Sequence, residues 1–230
     1  FLQANLLPKN KMEAFLNFSN SNIWSEIWPE IVLALGAILI LGIDLFRKNG
    51  SASSAGILAI ILQATLLVIH LFDYLAWHHT FDRDTFSGML QQGIQGDVMR
   101  SFFLLSSLLV SILGHHYLKG KKLRSGEFHH LTMLATAGLM LLVQSNHFLM
   151  LFVALETVAV CFYTLVAYNR NSAKSLEAGM KYLIFGALSS SMLLFGIVLL
   201  YGVAANPDAW GASYDNFAGQ DPLGFQYLGN

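Results

Sequence analysis

Six long apolar stretches follow one another along this chain, and each is long enough to cross a lipid bilayer. A helix of roughly 20 apolar residues spans the hydrocarbon core of a membrane. The stretches are Trp28–Phe46, Ala55–Trp77, Val98–Leu118, Phe128–Ser145, His147–Tyr168 and Leu176–Val203. The fourth and fifth are separated only by Asn146 and its neighbours, which predicts a tight helical hairpin. We therefore predict an all-α polytopic membrane protein with about six transmembrane helices.

The composition excludes several classes of soluble protein. Of the 230 residues, 55% are hydrophobic and only 12% are charged, against about 25% charged residues in a typical soluble domain. The net charge of -1 offers no basic domain for nucleic acid. The chain contains none of the G-x-x-x-x-G-K-[ST], G-x-G-x-x-G or C-x-x-C motifs, so it encodes no nucleotide or iron–sulfur site of these kinds. Its single cysteine, Cys161, excludes an internal disulfide.

Lysine and arginine concentrate in alternate loops. They follow the first, third and fifth stretches as Arg47 and Lys48, as Lys119, Lys121, Lys122 and Arg124, and as Arg170 and Lys174. The other loops are poor in base: Asp82, Arg83, Asp84, Asp97 and Arg100 are assigned to the loop between the second and third stretches, and no Lys or Arg follows Val203. Because positive residues favour the cytoplasmic side, the amino terminus is predicted to lie outside.

Three segments describe the whole chain. Residues 1–27 are predicted to form an exterior segment, in which Met12 is an alternative start to the residues Phe1–Lys11. Residues 28–203 form one six-helix transmembrane domain, and residues 204–230 form an exterior loop in which we expect the chain to be truncated. The first apolar stretch is too long for a cleaved signal sequence and further spans follow it, so we expect it to be retained.

Glu156 lies near the middle of the fifth apolar stretch. A carboxylate at that depth is costly unless it is protonated, paired or hydrated, and such residues commonly mark a proton or ion path. Tyr163 follows seven residues later on the same helix face, where its hydroxyl can extend a hydrated path. The alternative is a structural carboxyl group bonded to Thr157 or to a neighbouring helix. We expect Glu156 to face the protein interior.

Lys181 lies just inside the sixth apolar stretch. An acid and a base in neighbouring membrane helices are the components of a proton relay, and an ammonium group close to Glu156 favours the ionised carboxylate. We therefore expect Lys181 to approach Glu156 directly or through water. Two other interpretations stay open. Glu177 lies four residues earlier and is placed for a local ion pair, and the lysine is also near enough to the helix end to extend to the interface.

The remaining polar and small residues of the stretches point to packing. Gly186 and Ser190 have the spacing at which small residues let membrane helices approach closely. The pairs His78–His79, His115–His116 and His129–His130 are adjacent in sequence and so point apart on a helix; the last two pairs could meet across a loop, and we predict no metal site. Gln63 and Gln144 either line a polar interior or link helices.

Two neighbouring segments carry a family resemblance. NHFLMLFVALETVAVCFYTLVAYNR, followed by SAKSLEAGMKYLIFGALSSSMLLFGIVLLYG, resembles subunit N of the proton-pumping NADH–quinone oxidoreductase (respiratory complex I), the homologue of mitochondrial subunit 2. WPEIVLALGAILILGIDLF resembles the first span of that family. The similarity extends from about Trp28 to Gly202, and this chain then represents the amino-terminal half of an antiporter-like subunit of about 14 helices.

The resemblance implies a non-redox subunit that takes part in proton translocation. The family's fifth-helix acid corresponds to Glu156 and its sixth-helix lysine to Lys181, while its later relay lysines lie beyond Asn230. It implies no cofactor in this subunit; NADH, FMN, iron–sulfur clusters and the quinone site are expected in partner subunits of the membrane-bound complex. It also implies a multi-pass protein of the cell inner (plasma) membrane. One departure is Cys161, where the family usually has a proline that bends the helix.

Two other functions compete with this one. A subunit of a cation/proton antiporter or of a membrane-bound hydrogenase of the same superfamily shares the arrangement of Glu156 and Lys181. A membrane scaffold uses such charges only to lock its helices together. Gene neighbours separate the first alternative from an NADH–quinone oxidoreductase, and the scaffold predicts that loss of Glu156 affects assembly but not proton coupling.

Overall fold

The structure, a computed structural model, describes residues 24–46, 52–76, 83–86, 88–119, 125–204 and 223–225. A 3-10 helix, Trp24–Glu26, precedes the first long helix. The six α-helices of the described residues are α1 Trp28–Phe46, α2 Ala52–Ala76, α3 Ile94–Lys119, α4 Ser125–Gln144, α5 Phe148–Val166 and α6 Ala173–Ala204. The strands β1 Arg83–Thr85 and β2 Leu90–Gln92 lie between α2 and α3. The predicted helical membrane fold is confirmed, since five of these helices are long and apolar enough to cross a membrane.

Helix α4 lies at the centre of the bundle and packs against α1, α2, α3 and α5. It is the one of the six helices that does not reach the hydropathy of a candidate membrane span. Its surface of small, sulfur-containing and polar residues explains both facts. Met133, Ala137 and Met140 belong to the main apolar core, and small residues allow the surrounding helices to approach closely.

Helix α6 occupies the edge of the bundle. It packs against α5, and its buried residues are Gly179 and Ile197. Large apolar side chains of this helix are exposed in this chain, for example Phe185 at 70% and Met192 at 71%. Such a surface is compatible with lipid or with further helices, because both are apolar surroundings.

The two ends of the bundle differ, and we name them by what they contain. At the His129 end, the carboxyl-terminal ends of α1, α3 and α5 meet the beginning of α4. Asp44 packs against Gly126, His115 lies beside His129, and the arginine after α5, Arg170, pairs with Glu127. The first, third and fifth helices thus finish at one end, as the alternation of basic loops predicts.

At the opposite end, β1 and β2 form an antiparallel β-hairpin with Thr85 opposite Leu90, and we call this the hairpin end. Asn146, in the α4–α5 turn, donates its backbone N–H to the carbonyl oxygen of Met89 at 2.9 Å. Phe148 donates its N–H to Leu223 at 3.1 Å, and Phe225 donates its N–H back to Asn146 at 3.1 Å. The hairpin and residues 223–225 therefore hold the α4–α5 turn, whereas the sequence predicted only loops here.

One predicted boundary is wrong in a way that matters for chemistry. The third helix begins at Ile94, not at Val98. Asp97 and Arg100, which were assigned to an exterior loop, therefore belong to the first turns of α3 and are 8% and 3% exposed. In the sequence these polar residues resemble a loop, because the residues that bury them come from distant parts of the chain. Residues 47–51, 77–82 and 120–124, which include His78 and His79, lie outside the described residues.

Candidate functional site

Glu156 is half-buried in the middle of α5. The face of α5 that packs on α4 carries Ala154, Val158 and Cys161. Glu156, two residues from both Ala154 and Val158, lies on the opposite face of the helix, which it shares with Tyr163 and which meets α6. It forms no hydrogen bond or ion pair with another of the described residues. Helix α5 continues unbroken through the buried Cys161, where the family usually has proline. Glu156 is therefore partly shielded by the bundle, but its carboxyl group is not held by a fixed partner among the described residues.

Tyr163 is the polar neighbour of Glu156. It is half-buried and lies seven residues along α5 from Glu156 on the same helix face, and its hydroxyl contacts Gly186 of α6. The ring packs edge-on against Tyr182, with 4.9 Å between centroids. The predicted pairing of Glu156 and Tyr163 on one helix face is therefore present, and it faces α6.

Close contact between α5 and α6 depends on two glycines. A Cβ atom on Gly186 would lie 1.9 Å from the Tyr163 hydroxyl oxygen, and one on Gly179 would lie 2.5 Å from the Ala167 Cβ. No side chain fits at such distances, so both positions need glycine for this approach. The packing interpretation of the small residues in the sixth stretch is confirmed at these two positions.

Lys181 does not contact Glu156 in this structure. Its Nζ pairs with Glu177 Oε1 at 2.5 Å, and both side chains are largely exposed, at 66% and 63%. This is the local pair that the sequence offered as an alternative. The contacts of Gly179 with Ala167 and of Gly186 with Tyr163 show that α5 and α6 run antiparallel.

The antiparallel arrangement places Lys181 near the level of Ala167, roughly three helical turns, or about 15 Å, from the level of Glu156. Neither side chain is long enough to close that distance. A relay between the two charges therefore needs intervening water or further polar groups. The Tyr163 hydroxyl, which is nearer to Glu156, is one such group within the described residues.

A second group of buried charges was not identified from the sequence. Arg100 donates from Nε to Glu30 Oε1 at 2.9 Å and from Nη1 to Asp97 Oδ1 at 3.2 Å. Its Nη2 also donates to the carbonyl oxygen of Glu26 at 2.9 Å. Glu30 and Arg100 are each 3% exposed. We call Glu30, Asp97, Arg100 and the two glutamines described next the Arg100 cluster.

The glutamines connect the Arg100 cluster to the core and to the hairpin. Gln144, at the end of α4, donates to Glu30, and Gln92 of β2 donates to Gln144. The cluster thus links α1, α3, α4 and β2 at the hairpin end. Deeper in the bundle, the Gln63 side chain donates to Ser107 at 2.8 Å and links α2 to α3. Gln63 and Gln144 therefore both link helices, the simpler of the two interpretations of these residues.

A sequence signal for the cluster does exist, although it is weak. Asp97 and Arg100 are spaced i,i+3, as for an ion pair on one helix turn, and Glu30 lies in the first turn of α1. What the sequence does not contain is their convergence, because Glu30 and Arg100 are 70 positions apart. Within the described part of the chain, no group of three or more His, Cys, Asp or Glu residues has a geometry suited to a metal ion.

Comparison with known proteins agrees with the helical architecture. Residues 145–208 match the family described as "NADH:quinone oxidoreductase/Mrp antiporter, TM". NADH-quinone oxidoreductase subunit N 1 of Opitutus terrae is 48% identical over 213 residues, which is 90% of this chain and 41% of the relative. The chloroplastic NAD(P)H-quinone oxidoreductase subunit 2 of Mesostigma viride is 37% identical, over 77% of this chain and 35% of that protein.

Two solved structures share the fold. A chain of respiratory complex I from Thermus thermophilus with bound aureothin matches with a TM-score of 0.59 and 24% identity, over 76% of this chain and 36% of that one. A chain of an archaeal membrane-bound sulfane sulfur reductase matches with a TM-score of 0.61 and 20% identity over the same shares. The resemblance predicted from the sequence is confirmed. The chain spans about two fifths of the length of the curated relatives that it matches.

Proposed function

Because this multi-pass membrane chain is homologous to subunit N of NADH-quinone oxidoreductase over nine tenths of its length, we propose that it takes part in proton translocation coupled to electron transfer. The observation that carries this proposal is the 48% identity to the Opitutus terrae subunit. The chain itself acts as a non-redox subunit of the oxidoreductase. Electron transfer, with NADH, FMN, iron–sulfur clusters and quinone, takes place in partner subunits, and this subunit needs no cofactor.

Glu156 is the proton-binding carboxylate of this proposal. A half-buried acid without a fixed partner can change its protonation state without breaking an ion pair. An acid locked into a salt bridge, such as Glu30, lacks this freedom. The neighbouring Tyr163 hydroxyl both donates and accepts hydrogen bonds, so it can receive a proton from a water molecule and pass one on.

Lys181 controls the charge around this path from a distance. In the structure its ammonium group is held by Glu177, but an exposed i,i+4 pair contributes little stability and is easily exchanged. When the Lys181 side chain turns away from Glu177, its positive charge comes closer to Glu156 across intervening water and favours the carboxylate, and its return to Glu177 lets the acid take up a proton. Parts of the full subunit that pack on the exposed face of α6 would complete the path.

The proposed setting is the cell inner (plasma) membrane, with other membrane subunits of complex I as partners. In this orientation the His129 end faces the cytoplasm and the hairpin end faces outwards, because basic loops remain inside. The amino terminus then lies outside.

The experiment uses the full-length subunit in its assembled complex, in inverted membrane vesicles. Glu156→Gln and Lys181→Ala are expected to lower the number of protons pumped per NADH oxidised more than they lower the amount of complex. The matched control is Glu127→Gln, which removes an acid from an exposed ion pair at a helix end. Normal pumping when both Glu156 and Lys181 are replaced would assign them a structural role.

The alternative, a subunit of an antiporter or hydrogenase, is less well supported. The family description includes Mrp antiporters, but curated relatives such as the Opitutus terrae protein are named as oxidoreductase subunits. The match to the sulfur reductase concerns the fold only, at 20% identity. An antiporter would exchange sodium or potassium ions for protons without NADH, so vesicles that move such ions in the absence of NADH would favour it.

A further inference from the structure

A buried and a half-buried histidine meet at the His129 end of the bundle, away from Glu156. His115 lies near the end of α3 and His129 near the beginning of α4, and their ring centroids are 6.2 Å apart. His129 is fully buried, at 0% exposure, whereas His115 is half-buried and its neighbour His116 is exposed. The pair thus connects the inside of the bundle with its surface.

His129 lacks the hydrogen bonds that normally hold a buried structural histidine. Neither of its ring nitrogens has a hydrogen-bond partner among the described residues. Every imidazole carries at least one N–H donor, and leaving such a group buried without a partner costs about 1–3 kcal/mol. Buried polar groups of this kind are normally satisfied by an ordered water molecule.

Gly56 of α2 brings one nitrogen of each ring to the same place. A Cβ atom on Gly56 would lie 2.6 Å from His115 Nδ1 and 2.7 Å from His129 Nε2. The two nitrogens are therefore no more than about 5.3 Å apart, a gap that one water molecule spans with two hydrogen bonds of about 2.8 Å. Any larger residue at position 56 would push the rings away.

Other polar groups lie around the pair. Within the described residues, Asp44 of α1 packs on Gly126, Glu127 of α4 pairs with Arg170, and His130 bonds to the carbonyl oxygen of Ala37 at 2.8 Å. The groups on α3 are His116 and Tyr117, at or near the surface. One helical turn deeper on α3 is Ser111, fully buried, whose hydroxyl also lacks a partner among the described residues.

We propose that His115 and His129, bridged by one water molecule, form a proton-exchange site at the His129 end, outside the path of Glu156. An imidazole can accept a proton at one ring nitrogen while it releases a proton from the other, so it passes a proton on without keeping a charge. A proton that reaches the exposed side through His115 passes to the water and then to His129, while the proton on the far nitrogen is released deeper into the bundle. No bond other than N–H and O–H bonds changes. This proposal rests on the proposed function, because it supplies a second proton-handling site in the same subunit.

The test compares variants of the full-length subunit in the assembled complex, in inverted membrane vesicles. His129→Gln keeps a polar side chain that holds no exchangeable charge, and Gly56→Ala forces the rings apart. Both are expected to lower the protons pumped per NADH oxidised and to change how this ratio depends on pH. The matched control is Gly42→Ala, since a Cβ on Gly42 meets nothing within 4 Å.

An unchanged ratio and pH profile in assembled His129→Gln complex would overturn the proposal. If Glu156→Gln lowers pumping as expected in that case, the proposed function stands and only the histidine site fails. If neither variant assembles, a high-resolution density map of the native complex decides. A water molecule between the two rings supports the site, whereas His129 with both nitrogens bonded to protein atoms refutes it.

Discussion

Replacing Arg100 by methionine tests the Arg100 cluster directly. Arg100 neutralises two carboxylates, Glu30 and Asp97, that are 3% and 8% exposed. Removing one partner of a buried ion pair leaves an uncompensated charge and typically costs about 3–5 kcal/mol. Arg100 also donates to the carbonyl oxygen of Glu26, a hydrogen bond whose loss adds about 1 kcal/mol. We therefore expect Arg100→Met to approach the upper part of this range.

The matched control is Arg170→Met, the same change in an exposed ion pair. Arg170 contacts Glu127 at 3.0 Å, but its side chain is 74% exposed. Such pairs contribute about 0–1 kcal/mol. Both substitutions remove a guanidinium group from an ion pair, so their difference measures the effect of burial together with that of the additional contacts of Arg100 with Asp97 and Glu26.

The assay is thermal unfolding of the detergent-solubilised complex, together with the amount of complex assembled in the membrane. Adding Glu30→Gln to Arg100→Met should restore part of the loss, because it removes one of the two uncompensated charges. The reasoning is refuted if Arg100→Met is no more destabilising than Arg170→Met. It is also refuted if the second substitution adds its full cost to the first, since directly contacting residues should not behave independently.

Two further predictions concern helix packing and orientation. Gly186→Leu should separate α5 from α6 and reduce assembly, because even a Cβ at this position would overlap the Tyr163 ring on α5. The control Gly196→Leu should be tolerated, since a Cβ there meets nothing within 4 Å. Comparable assembly of the two variants would contradict the close approach of α5 and α6. In intact cells, Lys122→Cys should not react with an impermeant thiol reagent, because basic loops are expected in the cytoplasm and the native Cys161 is buried; labelling from outside would reverse the proposed orientation.

The sequence predicts well those features that depend on neighbouring residues. The first apolar stretch coincides with α1, Trp28–Phe46, because its length and hydropathy are local properties. The pair of Glu177 and Lys181 was also foreseeable, since it joins residues four positions apart. The predicted approach of Lys181 to Glu156 depends instead on how α5 and α6 are aligned. That alignment is set by the contact of Gly186 with Tyr163, which a pattern of apolar residues does not encode.

The Arg100 cluster could not be predicted from the sequence for a related reason. Polar residues next to an apolar stretch resemble a loop, so Asp97 moved the predicted start of α3 to Val98, and Arg100 was counted with the preceding loop. Their burial depends on Glu30 and Gln144 from other helices. The sequence did indicate that His115 and His129 could meet across the loop. It did not indicate the role of Gly56, which makes room for the two rings.

The low hydropathy of the central helix α4 has a consequence for how this protein is inserted into the membrane. A helix that is insufficiently apolar partitions poorly from the insertion machinery into lipid by itself. The short turn at Ser145 and Asn146 joins α4 to α5, whose hydropathy is ample for insertion. We therefore expect α4 to remain at the insertion site until α5 has been synthesised and to enter the bilayer together with it as a helical hairpin. Residues 125–166 then act as one unit of biogenesis, around which the earlier helices are arranged.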